Sequence, residues 1–302
     1  MSALRFSLTC SVAVAIAASA CTLMVVEASG TRSATFADGG WSKFELRAAE
    51  MTSGLRVRGG SASTLTAKAE LGALLSEGSE TEAFDNAQIV FRRVASVLSL
   101  SMAADGDFAE LIYFKGLEID TPSTVDLDIE ANDTNIEITG MSGAVRAKTG
   151  AGRVDVTTGG AIDIEAGSGT IKASCGTTAR IRGGSGTTTL IAGSKIDVDS
   201  DGGTVQADTP VGGIVKSDSG IIDLKLTANT FGITTVESNS GNVVVRVPKG
   251  SQYNLDAWSK SGIITIDVGG LTVTDPYNGP VNGGGPLVTI RTDTGSLTVT
   301  DQ

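Results

Sequence analysis

The sequence predicts an all-β fold, a parallel β-solenoid (β-helix) with a coil period of about 17–21 and two short strands in each coil. Three observations predict it. Gly152, Gly169, Gly186, Gly203 and Gly220 recur at a constant 17-residue interval, and a fixed interval of about 20 marks a stacked array. Each of these glycines, and later Gly241, Gly262 and Gly295, is followed by alternation of apolar and polar residues. The apolar pairs run from Val154/Val156 to Leu297/Val299, and Thr188 is the one polar residue among the inward positions. Alternation with period two means a strand with one buried face. A second set of turns, Gly143, Gly160, Gly176, Gly193 and Gly213, precedes Val145/Ala147, Ile162/Ile164, Ala179/Ile181, Ile196/Val198 and a weaker Ile214/Val215.

Residues 1–28 read as an export signal. Arg5 is the one charge before Glu27, Phe6 to Ala20 is apolar, and Ala18-Ser19-Ala20 forms a small-residue cleavage site. A second cut fits after Ala28. Ala18-Ser19-Ala20-Cys21 resembles a bacterial lipobox, which implies a lipid on Cys21. The uncharged stretch Phe6–Val26 is also long enough for an uncut anchor. All three readings place the remainder outside the cytoplasm, in the periplasm, at the outer membrane or cell surface, or secreted.

Residues 29–40 are rich in Ser, Thr and Gly and read as a linker. Residues 41–120 read as a β-rich capping region with strands at 43–48, 55–58, 65–69, 97–103 and 109–114; residues 80–93 suit either a helix or a strand. A stacked array exposes core and strand edges at its ends, so an atypical terminal unit is expected. Residues 121–302 hold the repeat. A 17-residue interval favours parallel coils over an antiparallel meander, because like positions then stack about 4.8 Å apart. Val154, Ile171, Thr188, Val205 and Ile222 are expected in one internal column, and Asp155 beside Lys172. Right-handed coiling follows from the crossover preference of parallel strands, and about nine coils give a rod of roughly 40 Å. Intervals grow after Gly220, and Tyr253, Trp258 and Tyr277 are expected in a wider core or terminal cap. Residues 275–286 read as a loop, and 287–300 as the strands that close the array.

The repeated motifs Ser168-Gly169-Thr-Ile-Lys-Ala, Ser219-Gly220-Ile-Ile-Asp-Leu, Ser240-Gly241-Asn-Val-Val-Val and Thr294-Gly295-Ser-Leu-Thr-Val are similar to those of the bacterial putative adhesin family. The similarity runs from about Leu117 to the end. It implies a β-helical repeat domain and a role at surfaces, and no particular activity. Gly202-Gly203 in place of Ser-Gly, and Thr188, depart from the pattern.

Composition restricts the chemistry. A net charge of −11 with no long basic run disfavours nucleic acid. Histidine is absent, which removes the commonest general base and metal ligand. Residues 115–230 contain no aromatic residue, so the core there is narrow. Cys10, Cys21 and Cys175 form no disulfide or metal pattern, and Cys175 reads as a small buried residue. Asp197, Asp199 and Asp201, with Gly202 and Asp208, are spaced like a calcium loop. However, Ile196 and Val198 point inward, so the carboxylates read as an acidic outer face. A polysaccharide-active β-helix enzyme would need converging carboxylates and sugar-stacking aromatics, and the central coils hold none of the latter. No catalytic residue and no cofactor is expected. The expected function is a non-enzymatic envelope or surface protein whose Thr187, Thr189, Thr204, Thr265 and Thr298 form a flat polar face for a surface glycan or envelope protein. The other reading is a structural spacer of the envelope, with end-to-end self-association through its last strand.

Overall fold

The structure, a computed structural model, describes residues 10–12, 25–37, 39–48, 51–76, 84, 87–103 and 112–302. Most of the expected export signal, Cys21 included, lies outside the described residues. The described chain is all-β. It divides into two compact units: one holds the residues up to Gly143 with Lys148–Gly150, and the other Ala144–Ala147 with Ala151–Gln302.

The first unit contains β1 (Cys10–Val12), β2 (Val25–Phe36), β3 (Lys43–Ala48), β4 (Gly54–Gly60) and β5 (Leu65–Ser76). It continues with β6 (Gln88–Val94), β7 (Val97–Ala103), β8 (Ile112–Pro122), β9 (Asp126–Ala131) and β10 (Ile136–Met141). Residues 29–36, expected as linker, instead complete β2. That strand pairs antiparallel with β5 from Val25↔Ser76 to Phe36↔Leu65, and its Val, Thr and Phe residues suit a pleated surface. Of residues 80–93, which suit either a helix or a strand, those from Gln88 onward form β6 together with Val94 and pair with β7.

The strand order in this unit does not follow the chain. β3 pairs in parallel with β7 on one edge and β9 on the other; β4 does the same with β8 and β10. The first two strands of the expected cap are therefore interior members of a parallel stack, and the repeat-region strands β9 and β10 belong with them. Their inward residues, among them Phe44, Leu46, Leu55, Val57, Leu127, Ile129, Ile136 and Ile138, are buried. The antiparallel strands β6 and β5 cover the other edges of β7 and β8.

β11 (Val145–Thr149) contributes residues to each unit. The second unit continues with β12 (Arg153–Thr158), β13 (Ile162–Cys175), β14 (Ala179–Ala192), β15 (Ile196–Ser200), β16 (Thr204–Thr209), β17 (Gly213–Leu226) and β18 (Thr234–Val247). It ends with β19 (Tyr253–Ser261), β20 (Ile264–Val268), β21 (Leu271–Val273), β22 (Tyr277–Val281), β23 (Leu287–Thr294) and β24 (Leu297–Asp301). Parallel pairing follows the 17-residue offset: Val154↔Ile171↔Thr188↔Val205↔Ile222. All five side chains are buried. In β17 the inward pair is Gly213 and Val215, facing Ile196 and Val198; Ile214 points outward.

The expectation that β23 and β24 close the array is overturned. β23 lies between β18 and β19, and β24 between β18 and β20. The last strand is thus paired on both edges, and end-to-end association through it has no open edge to use. The stack beyond β19 and β20 is instead covered by the short antiparallel β22 and β21, and β22 carries Pro280, which cannot donate to a further strand. The glycine corners record the same order. A Cβ on Gly295 would lie 2.1 Å from the Gly241 carbonyl oxygen, and one on Gly262 would lie 1.8 Å from that of Gly295. No side chain fits between backbones that close.

Candidate binding surface

Beside those corners runs a column of hydroxyls that the repeat analysis missed. Ser200, Ser217, Ser238, Thr292 and Ser259 are register partners in that order. Ser200 Oγ donates to Gly202 O at 2.9 Å, Ser217 Oγ to Ser219 O at 2.8 Å and Thr292 Oγ1 to Thr294 O at 3.0 Å. The legible signal was a Ser or Thr three positions before Gly203, Gly220, Gly241, Gly262 and Gly295. Three of these hydroxyls tie the turn, and the Oγ atoms of Ser238 and Ser259 are buried without a hydrogen-bond partner, so the column builds the corner rather than binds a ligand.

Two outward faces remain. On the first, Thr170, Thr187 and Thr204 stand in one column, followed by Ile221 and Asn242. Thr189 adjoins Lys172 and Gln206. Thr298 and Thr265 are partners of each other, and Asp223 and Val244 separate them from Thr189 and Gln206. The five threonines of the sequence reading thus form two patches, and Thr170 joins the first. Asp155 does lie beside Lys172, yet its ion pair is with Arg153 at 2.8 Å.

The second outward face is a charge ladder. Glu165, Arg182, Asp199, Lys216, Glu237 and Arg291 are successive register partners, and the sign alternates at every step. Asp163, Arg180 and Asp197 repeat the pattern alongside. Lys216 Nζ reaches Glu237 Oε2 at 2.8 Å, and this hydrogen bond holds its ammonium pKa above the ordinary lysine range. Asp199 is therefore a rung flanked by Arg182 and Lys216, and Asp197 lies between Arg180, whose Nε is 3.8 Å away, and Ile214. Asp201 lies past the strand, its backbone N–H donating to Gly183 O at 3.0 Å. Cations on both sides of Asp199 compete with any metal ion for the same oxygens.

The interior offers little room. Gly183 faces inward between Ala166 and Ser200, and Thr188 stands where its neighbours carry Ile171 and Val205. The lost volume leaves a half-open pocket of about 10 Å³ beside Gly183, Thr188 and Ser200, room for about one water. Cys175 is buried, and burial pushes its thiol pKa up, away from reactive thiolate character. Tyr253 is fully buried, its ring 5.6 Å from that of Phe231, and burial raises its phenol well above the ordinary range. Trp258 departs from the expectation: it points outward at 41% exposure, beside Arg291.

No protein-family model and no curated protein matches the chain. Among solved structures, a putative adhesin from Parabacteroides merdae is similar at 10% identity over 90% of this chain and 96% of that one, with a TM-score of 0.40. A putative cell adhesion protein from Clostridium sporogenes aligns at 12% identity over 90% of this chain and all of its own length, with a TM-score of 0.23. A putative lipid binding protein from Parabacteroides distasonis aligns at 8% identity over 90% and 96%, with a TM-score of 0.33.

Proposed function

We propose that the chain is an exported, non-enzymatic attachment protein of the cell envelope or surface. In this reading it is built as a parallel β-solenoid and holds a glycan or protein against its stacked outer faces. The observation that carries it is the Thr170–Thr187–Thr204 column with its flanking Thr189 and Gln206: flat, polar, uncharged groups repeated about every 4.8 Å. β-Propensity alone also places threonine on strands, so binding is to be tested at this face. The export signal over residues 1–28, ending in cleavage, a lipid on Cys21 or an anchor, supplies the location. The test is protease treatment of intact cells with an antibody against residues 121–302. Loss of signal with membranes unbroken supports attachment at the surface; protection until the envelope is opened removes the surface role and leaves a partner inside the envelope.

The covered ends favour a second reading, a monomeric envelope spacer. Its strands β21 and β22 are short and β22 carries Pro280, which suits a unit that does not polymerise. Sedimentation at rising concentration, with no change in mass, is the outcome that reading expects.

A further inference from the structure

The longer run of the charge ladder stops at β19, as the shorter run beside it stops at Ile214. After Glu237 and Arg291 the alternation calls for a carboxylate on β19, and the chain has Trp258 there. Local rules of a repeat tend to be broken where the site is used. The charge of Arg291 is balanced diagonally, its guanidinium donating to Asp256 Oδ2 at 3.1 Å. The other Asp256 oxygen accepts from Asn278 Nδ2 at 3.4 Å. β22 pairs with β19 up to Tyr277↔Ala257, one residue short of Trp258. The indole therefore has Arg291 on one side and, among the described residues, no strand partner on the other.

This places an exposed indole beside a guanidinium, a carboxylate and a carboxamide on one outward face, whereas Phe231 and Tyr253 are buried. An apolar ring with planar donors and acceptors matches a pyranose: its C–H face covers the ring, and its vicinal hydroxyls meet paired N–H donors and carboxylate oxygens. Because Arg291 and Asp256 neutralise each other, the patch carries no net charge and suits a neutral sugar. We propose that Trp258, with Arg291, Asp256 and Asn278, forms a binding site for a neutral glycan. The proposal rests on the attachment reading above and supplies its ligand class.

The test is a glycan array carrying neutral and acidic oligosaccharides, probed with the full chain, with Trp258→Ala, and with Lys249→Ala as an exposed control away from both outward faces. The expected result is binding to neutral glycans that falls at least about tenfold in Trp258→Ala and persists in Lys249→Ala, with all three proteins melting alike. A second readout uses the two tryptophans. Trp41 is buried at 8% exposure, so a bound sugar changes the emission of Trp258 alone, and Trp41→Phe retains that change. Neutral-glycan binding that survives Trp258→Ala, or binding confined to acidic glycans, overturns this site and leaves the attachment reading in place. Adherence of cells bearing the protein, without any glycan bound by the purified chain, overturns the glycan class alone. Absence of both adherence and glycan binding overturns the site and the attachment reading together.

Discussion

At the scale of the residue, the corner glycines and the buried carboxylate of Asp128 make testable contributions to stability. Gly220 has φ of +110°, and a Cβ there would meet the Gly203 carbonyl at 1.9 Å. Gly270 has φ of +79° with open space around it. Gly220→Ala is therefore expected to cost about 3–5 kcal/mol, combining backbone strain with a clash that the neighbouring chain must relieve. Gly270→Ala costs about 1 kcal/mol, the conformational part alone. Urea denaturation of both separates the two terms, and equal losses would contradict the corner geometry. Asp128 is 7% exposed. Burial pushes its carboxyl up, but hydrogen bonds from Lys43 and Arg47 outweigh that and hold it below the usual carboxylate range. A depressed pKa contributes stability that is present above the unfolded value, near 4, and lost as pH falls through the folded one. Asp128→Asn should thus lower stability by about 1–2 kcal/mol at pH 6. The gap to the native chain should close towards pH 2, as followed by melting at each pH.

At the scale of the element, outward charge explains an order that inward hydrophobicity leaves open. The inward columns are mostly Val, Ile, Leu and Ala, so many strands could pair with one another at similar gain. The outward residues differ. Arg56 of β4 lies between Glu118 of β8 and Glu137 of β10, at 3.2 and 2.9 Å. Arg291 of β23 lies between Glu237 and Asp256. At both interpolated places a cation sits between acids, and like charges directly opposite are disfavoured. Arg56→Glu should lower the melting temperature, and adding Glu118→Lys and Glu137→Lys should recover most of the loss; a triple variant no better than the single would show that the pairs do not select the order. Ile171→Asp tests the inward side, where an unpaired buried charge should cost about 4 kcal/mol or more. The strands, their inward faces and the glycine corners were legible because period two and the constant glycine interval act locally. Residues 29–36 misled, since Ser, Thr and Gly suit a linker in isolation and became strand through pairing with the distant β5.

At the scale of the whole molecule, each unit interpolates strands out of chain order. A repeat read along the chain assumes that consecutive coils are neighbours, which holds from β12 to β18 and fails afterwards, because spacing alone carries no information about which edge a returning segment takes. The candidate surface suffered from the same limit. The first threonine patch was legible because it lies on consecutive repeats, whereas Trp258 and Arg291, distant in sequence, meet only because β23 enters between β18 and β19. The Trp258 site and the strand order of the second unit thus depend on one feature, the interior position of β23 and β24. Cysteine pairs test it most directly, in a background with Cys10 and Cys21 changed to Ser and Cys175 left buried. Val244, Thr298 and Thr265 are successive outward partners. Val244→Cys with Thr298→Cys, and Thr298→Cys with Thr265→Cys, should each form a disulfide on mild oxidation. Val244→Cys with Thr265→Cys should not, because two strand spacings, about 9.6 Å, exceed disulfide reach. Ready cross-linking of Val244→Cys to Thr265→Cys, with none to Thr298→Cys, would contradict the interpolated order and the Trp258 site with it.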